Sequence, residues 1–342
     1  MIGLGSTIVL ALSLAVTTLV LRTVPAAGAD ASVERQAPPE PIPVAPYVGL
    51  PQRLRDAGYV LPARVSVYAA QIVVGTDGTL DLVEYQAGAG ALDEDFWPAS
   101  SVKVLAALGA LDFLRSEGFT GAASIQASTG WSATVRELAD AALDESSNAA
   151  YDQLVQIAGL ERLNNSFLTA ANGFPDTVIQ RSYAGIDIRS SPTLVLRERG
   201  RTVTVPARTT AKDYGCPANG NCSNLQELTD SVRRVVLDPE LAPVDRLGLD
   251  PTDLELLGDA LLASEGWFDP GVARVLGTGA RVYNKPGVAP GRDCVDVGLI
   301  DDPATGGRYL LGVSSPVASS PDCALLAKVA EEVLGALLPE PR

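Results

Sequence analysis

The chain has 342 residues, 46% of them hydrophobic and 20% charged, which suffices for one large domain or two small ones and excludes a disordered or fibrous chain. Its formal net charge of −15 repels phosphate backbones and anionic headgroups, and no cluster of Lys and Arg offsets this, so nucleic acid is excluded as a partner. There is no histidine, which removes Ser-His-Asp triads, Cys-His dyads and His-ligated zinc; a hydrolytic base here has to be Lys, Asp, Glu or Tyr.

Residues 2–21 form an uncharged apolar run long enough to span a bilayer. Ala27-Gly28-Ala29 follows, a small-residue pattern that a signal peptidase cleaves. Cleaved signal and retained anchor both imply export, to the cell envelope or the medium. Arg22 lies after the run and no basic residue precedes it, so loop charge does not set the orientation. Residues 1–29 are therefore assigned as signal peptide or membrane anchor, 30–46 as a Pro/Ala-rich linker (QAPPEPIPVAP) and 47–342 as the folded domain.

The folded part opens with strand-like residues 65–74 and 80–86, joined by a hairpin turn from Gly75 to Gly78. Apolar residues then recur at helical spacing over 100–116, 134–144, 147–158 and 160–171, a block that reads as all-α. Residues 193–206 alternate around a Gly turn and predict a second hairpin, followed by helices at 224–237 and 252–264. Strands at 280–284, 294–300 and 308–314 lead into a terminal helix at 321–337, where Leu325, Leu326, Val329, Val333 and Leu337 share a face. The expected fold class is α/β of the α+β kind: an antiparallel sheet formed by both chain ends, flanked by helices, with an all-α subdomain between. Four cysteines in an exported chain imply disulfides. Cys216 and Cys222 lie in one Pro/Gly/Asn loop and suit a local bridge, leaving Cys294 for Cys323, with the two other pairings open.

Three short motifs can carry chemistry. The first is Ser100-Ser101-Val102-Lys103, after Trp97-Pro98-Ala99 and before a strongly apolar run. Pro98 disfavours helix at Trp97, and the serines offer cap chemistry, so the helix is predicted to begin at Ser100 or Ser101. Ser100 and Lys103 then share a face, and a Lys buried in that run loses basicity until it can accept a proton from a hydroxyl. The second is Ser146-Ser147-Asn148 at the start of an apolar-faced helix. The third is Asn284-Lys285-Pro286-Gly287-Val288 at the end of a strand, noteworthy because the chain has four lysines in all. Taken singly, each has an ordinary structural explanation: a capped helix with a snorkelling Lys, an N-cap serine, and an exposed Lys before a turn.

Their order changes the assessment. SxxK, then SxN, then KxG, followed by two strands and a terminal helix, resembles the superfamily of class A β-lactamases and penicillin-binding proteins. WPASSVKVLAALGAL is similar to that family's nucleophile helix, ESSNAAYDQLV to its SDN helix, RTTAKD to the segment after its omega loop, and ARVYNKPGVAPG to its KTG strand. The resemblance covers roughly residues 55–338, apart from 172–208. It implies a serine hydrolase acting on a β-lactam, amide or ester, with Ser100 as acylated nucleophile and Lys103 as its base. Ser146 would pass a proton to the leaving group and Lys285 would bias that relay and attract a substrate carboxylate. Asn148, Gly287 and Val288 would contact substrate, the amides of Ser100 and Val288 forming the oxyanion hole. The implied partner is a small molecule or cell-wall peptide, with no cofactor or metal.

Two departures accompany it. The family's ExxLN glutamate has no counterpart, since Glu161-Arg162-Leu163-Asn164 comes too early and Asp176, Asp187 and Glu198 sit in the wrong context. Pro286 replaces the Thr or Ser of KTG, removing a hydroxyl and a backbone N–H, which fits an edge strand. The alternative reading is a penicillin-binding-protein-like or catalytically silent exported protein that recognises cell-wall peptides.

Overall fold

The computed structural model describes residues 49–76, 78–92, 97–289, 293–316 and 323–338. The assigned signal or anchor (1–29) and linker (30–46) lie outside the described residues. Among the described residues no helix is long and apolar enough to cross a membrane.

A short helix α1 (Leu50–Asp56), with Pro51 in its first turn, precedes the hairpin β1 (Ser66–Val74) and β2 (Leu80–Ala87). A 3-10 turn over Ala99–Val102 runs into α2 (Lys103–Ser116). Two short strands follow, β3 (Ser124–Ala127) and β4 (Ser132–Ala133), then α3 (Val135–Leu143), opened by a reciprocal capping box between Thr134 and Glu137, α4 (Asn148–Ala158) and α5 (Leu160–Arg162). Past the connection at 163–189 lie β5 (Ser190–Ser191), β6 (Leu194–Glu198), β7 (Arg201–Val205) and β8 (Arg208–Thr209). The chain continues through α6 (Leu225–Leu237), α7 (Pro251–Ala263) and α8 (Asp269–Leu276), then β9 (Arg281–Val288), β10 (Asp293–Asp302) and β11 (Gly307–Pro316), and closes with α9 (Ala324–Leu337).

Both chain ends share one antiparallel sheet of order β2-β1-β11-β10-β9, as the strand pattern predicts. Alternation along β1 sends its side chains into two cores. Val67 and Ala69 join Leu50, Leu54, Leu311, Leu326 and Val333 beneath α1 and α9, whereas Tyr68, Ala70 and Ile72 join the core built on α2, α4 and α6. The sheet is thus covered on both faces, and its inner strands β1 and β10 are buried along most of their length.

The helical block departs from expectation in two places. β3 and β4 pair with the predicted hairpin to give a four-stranded sheet β4-β3-β6-β7. Strands of four and two residues are too short to announce themselves by alternation. The helix predicted over 160–171 breaks after α5 into a π turn at Leu163–Phe167. Asn164 is the physical reason: its Nδ2 donates to the carbonyls of Leu160 and Ile179 at 2.9 and 2.7 Å, and its Oδ1 accepts from the Ile179 amide at 2.9 Å. The cysteines pair as Cys216–Cys222 and Cys294–Cys323, the pairing favoured by spacing, and two disulfides are consistent with an exported protein.

Candidate active site

Ser100 lies in the 3-10 turn rather than at the head of an α-helix. The expected serine cap does not form: Ala99 adopts φ 47°, and the Ser101 hydroxyl donates backward to the Pro98 carbonyl at 2.5 Å. A β-carbon in left-handed backbone is strained, and the strain is held from outside, since Tyr183 Oη–H donates to the Ala99 carbonyl at 2.7 Å. Ser100 is half-buried in the wall of a cavity of about 450 Å³, which Trp97, Asn148, Arg181, Tyr183 and Val288 also line.

Lys103 follows one turn later and is fully buried. Its ammonium donates to the Ser146 carbonyl at 2.5 Å, the Ser146 hydroxyl at 3.2 Å and Asn148 Oδ1 at 2.8 Å. These acceptors converge because Ser147, between them, is the residue that caps α4, its hydroxyl accepting from the Ala150 amide at 3.3 Å. Ser146 itself takes φ 55° in the turn before the helix. Burial, and next the charge of Lys285, hold the Lys103 ammonium down to about 7, against a smaller opposing pull from the Asp152 carboxylate.

Lys285 sits on β9, also fully buried, and its ammonium meets no hydrogen-bond acceptor among the described residues. Burial lowers it to about 8, while the carboxylates of Asp296 and Asp144 pull the other way. Asp296 is itself pushed well above the carboxylate range by burial, then by Asp269, although Trp267 and Phe268 donate their amides to it at 2.6 and 3.1 Å. β9 is the outer strand of the sheet, so Pro286 occupies the edge position expected of it. Gly287 lets β9 approach the Ser100 turn: a β-carbon there would lie 2.7 Å from the Ser100 amide nitrogen.

The three motifs therefore meet around one cavity. Ser100, Asn148 and Val288 line it, and Lys103 and Lys285 are buried beside it, each within electrostatic reach of its neighbours. Two like charges near each other in a poorly solvated wall favour one neutral amine at neutral pH, the state in which a lysine accepts a hydroxyl proton.

Sequence reasoning missed the cavity's other wall. Arg181, Ser182 and Tyr183 come from the connection within 172–208, the stretch that the motif resemblance leaves out. Buried Asp152, on α4, holds that loop by accepting from Ser182 Oγ at 2.6 Å and from the amides of Tyr183, Ala184 and Ile186 at 2.8, 2.9 and 3.3 Å. Asn221, inside the Cys216–Cys222 loop, accepts from the Gln180 and Arg181 amides at 2.8 Å each and donates to Tyr151 Oη at 2.9 Å. Tyr151 stacks on Tyr183 with ring centroids 4.6 Å apart. The available signal was Asp152 itself, an acid on the apolar face of its helix. The carboxylates weighed from sequence lie elsewhere: Asp176 accepts from Asn224, Asp187 from the Arg189 amide, Glu198 from Thr120, and Glu161 lines a separate cavity.

The family model described as the beta-lactamase enzyme family matches residues 86–337. Among solved structures, a class A beta-lactamase from Mycobacterium abscessus aligns at 22% identity with a TM-score of 0.56, over 84% of this chain and 98% of that one. A class A beta-lactamase from Bacteroides cellulosilyticus aligns at 13% identity and TM-score 0.54, over 85% and 99%. A mutant of PBP-A in an acyl-enzyme complex with penicillin G aligns at 15% identity and TM-score 0.55, over 83% and 94%. At such identities the likeness is one of fold. No curated protein matches the sequence.

Proposed function

The chain belongs to the beta-lactamase enzyme family, and from that premise we propose that it is an exported serine hydrolase that opens a β-lactam, amide or ester through an acyl-enzyme on Ser100. The observation that carries the reading is the buried Lys103, held at about 7 and hydrogen-bonded to Ser146 and Asn148 one turn from Ser100.

In the proposed reaction neutral Lys103 takes the Ser100 hydroxyl proton as Oγ attacks the substrate carbonyl. The amides of Ser100 and Val288 receive the oxyanion, where each aimed donor contributes about 3 kcal/mol. The proton then passes from Lys103 along its 3.2 Å contact to Ser146 Oγ, which protonates the departing nitrogen or oxygen. The C–N or C–O bond breaks and the acyl group remains on Ser100. Lys285 attracts a substrate carboxylate and keeps Lys103 deprotonated. Gly287 brings β9 close enough for its backbone to meet the substrate.

Deacylation needs a second base, and among the described residues lining the cavity none is a carboxylate. That favours a long-lived acyl-enzyme, the penicillin-binding-protein-like alternative, over rapid β-lactam turnover. Export rests on the apolar N-terminal run and the two disulfides.

The test is to incubate the purified protein with a fluorescent penicillin and look for a covalent adduct that vanishes in Ser100→Ala. No adduct with this or any other serine-acylating probe, fluorophosphonates included, overturns the enzyme reading in favour of a silent binding protein. Nitrocefin separates the two enzymatic outcomes, a single stoichiometric burst marking the trapped acyl-enzyme and steady turnover a β-lactamase.

A further inference from the structure

Arg181 has no role in the proposed acyl transfer, yet its surroundings are built around it. Its guanidinium carbon lies 4.9 Å from the centroid of the Trp97 ring, and both side chains line the cavity that contains Ser100. Its backbone is fixed at both polar atoms. The amide donates to Asn221 Oδ1 at 2.8 Å and the carbonyl accepts from Tyr151 Oη at 3.1 Å. Asn221 is confined by the Cys216–Cys222 bridge, and the loop turns back on itself through a two-way backbone bridge between Val178 and Cys222. Gly220 of the same loop lies against the Trp97 ring, where a β-carbon would make van der Waals contact at 3.4 Å. The guanidinium itself, by contrast, forms neither an ion pair nor a hydrogen bond among the described residues, and it is exposed. Carboxylates are absent from the lining among the described residues, in a chain of net charge −15. A planar cation, stacked on an aromatic face and with its donors open to a cavity, is suited to a carboxylate.

We infer that Arg181 selects acyl donors whose acyl half carries its own carboxylate. The assignment to the acyl half rests on the reaction proposed above: Lys285 and Ser146, which serve the departing half, come from β9 and the turn before α4, whereas Arg181 comes from the separate loop anchored by Asp152 and Asn221. The substrate class is then an amide or lactam with an anion at each end, one for Lys285 and one for Arg181. Pro286, which removes the KTG hydroxyl from the departing side, leaves more of the recognition to Arg181.

Benzylpenicillin and its α-carboxy derivative differ by one carboxylate on the acyl side chain, and mass spectrometry of the intact protein gives the acylation rate with each. The full chain is expected to react about fivefold faster with the α-carboxy compound, the upper end for one ion pair at an exposed site. The preference shrinks as salt is raised, disappears in Arg181→Gln and inverts in Arg181→Glu. Equal rates in the wild type, or a ratio unchanged in either variant, overturn the inference. Calorimetric binding of the same two compounds to Ser100→Ala reads the preference without any acylation. If no adduct forms but the α-carboxy compound binds more tightly through Arg181, the serine chemistry falls and the Arg181 assignment stands; equal affinities remove it.

Discussion

Gly287 packs against the Ser100 amide so closely that a β-carbon on it would lie 2.7 Å from that nitrogen and 3.0 Å from the Ala99 β-carbon. Real β-carbons do not approach backbone nitrogens at that distance, so Gly287→Ala has to push β9 away from the Ser100 turn. A displacement approaching 1 Å at a reacting centre costs about a hundredfold in rate. Acylation by a fluorescent penicillin should fall by that order while the melting temperature changes by a few degrees. A Gly287→Ala protein that acylates at the wild-type rate would show that the β9 backbone plays no part in the reaction.

The two lysines set a pH profile. A base must be neutral, so acylation rises as pH passes the Lys103 value of about 7. Lys285 attracts the substrate anion only while protonated, so the rate falls again above about 8. The acylation efficiency should therefore be bell-shaped, with its maximum between these values. Lys285→Gln removes the alkaline limb. It also moves the acidic limb upward, because the positive charge that holds Lys103 down is gone. An acidic limb that stays in place in Lys285→Gln contradicts the coupling, and a profile flat from pH 6 to 9 contradicts both roles.

Asp152 is fully buried and accepts four hydrogen bonds from residues 182–186. Asp152→Ala leaves those donors facing a cavity, at a cost of about 3 kcal/mol for unsatisfied groups that had been bonded to a charged partner. Urea unfolding checks the magnitude, and hydrogen exchange at Tyr183 and Ala184 checks the location. A loss below about 0.5 kcal/mol, within the range of an ordinary surface change, would mean that other contacts hold the loop.

The two disulfides should separate stability from function. Chain entropy assigns about 2.2 kcal/mol to a bridge spanning 6 residues and about 3.6 to one spanning 29. Replacing Cys294 and Cys323 by serine should therefore lower stability more. Replacing Cys216 and Cys222 should disturb the site more, because Asn221 and Ala218 lie between them and touch the Arg181 wall. Thermal unfolding and acylation rates on both variants decide it; if the Cys294/Cys323 variant loses more activity per degree of melting temperature, the assignment is reversed.

How much of this could be seen beforehand follows from how local each feature is. Ser100 and Lys103 belong to one turn and one apolar run, so their shared position and the burial of the lysine follow from a few residues. The end-to-end sheet was legible because each of its strands is eight or more residues long and rich in apolar residues. β3 and β4 were not, since a strand that short is stabilised by the partner it meets. The break after α5 depends on Asn164 reaching Ile179, and the Arg181 wall depends on Asp152 and Asn221 reaching across 30 and 40 residues. Such contacts leave no periodic trace. The start of α2 was misjudged for a related reason: Ser101 spends its hydroxyl on Pro98, and the backbone at Ala99 is held by Tyr183, a residue 84 positions away.

The pairing of β1 with β11 has a consequence for how the molecule comes into being. Ser66 faces Ser314 and Ile72 faces Arg308, so the first strand to leave the ribosome waits for almost the last. Until then β1 has one unpaired edge, and the pair β9–β10, which completes the cavity beside Ser100, has no β11 to join it to the rest of the sheet. Folding dominated by such distant pairings is slow and exposes strand edges while it proceeds. A chain interrupted anywhere before residue 316 should consequently be inert toward acylating probes rather than weakly active.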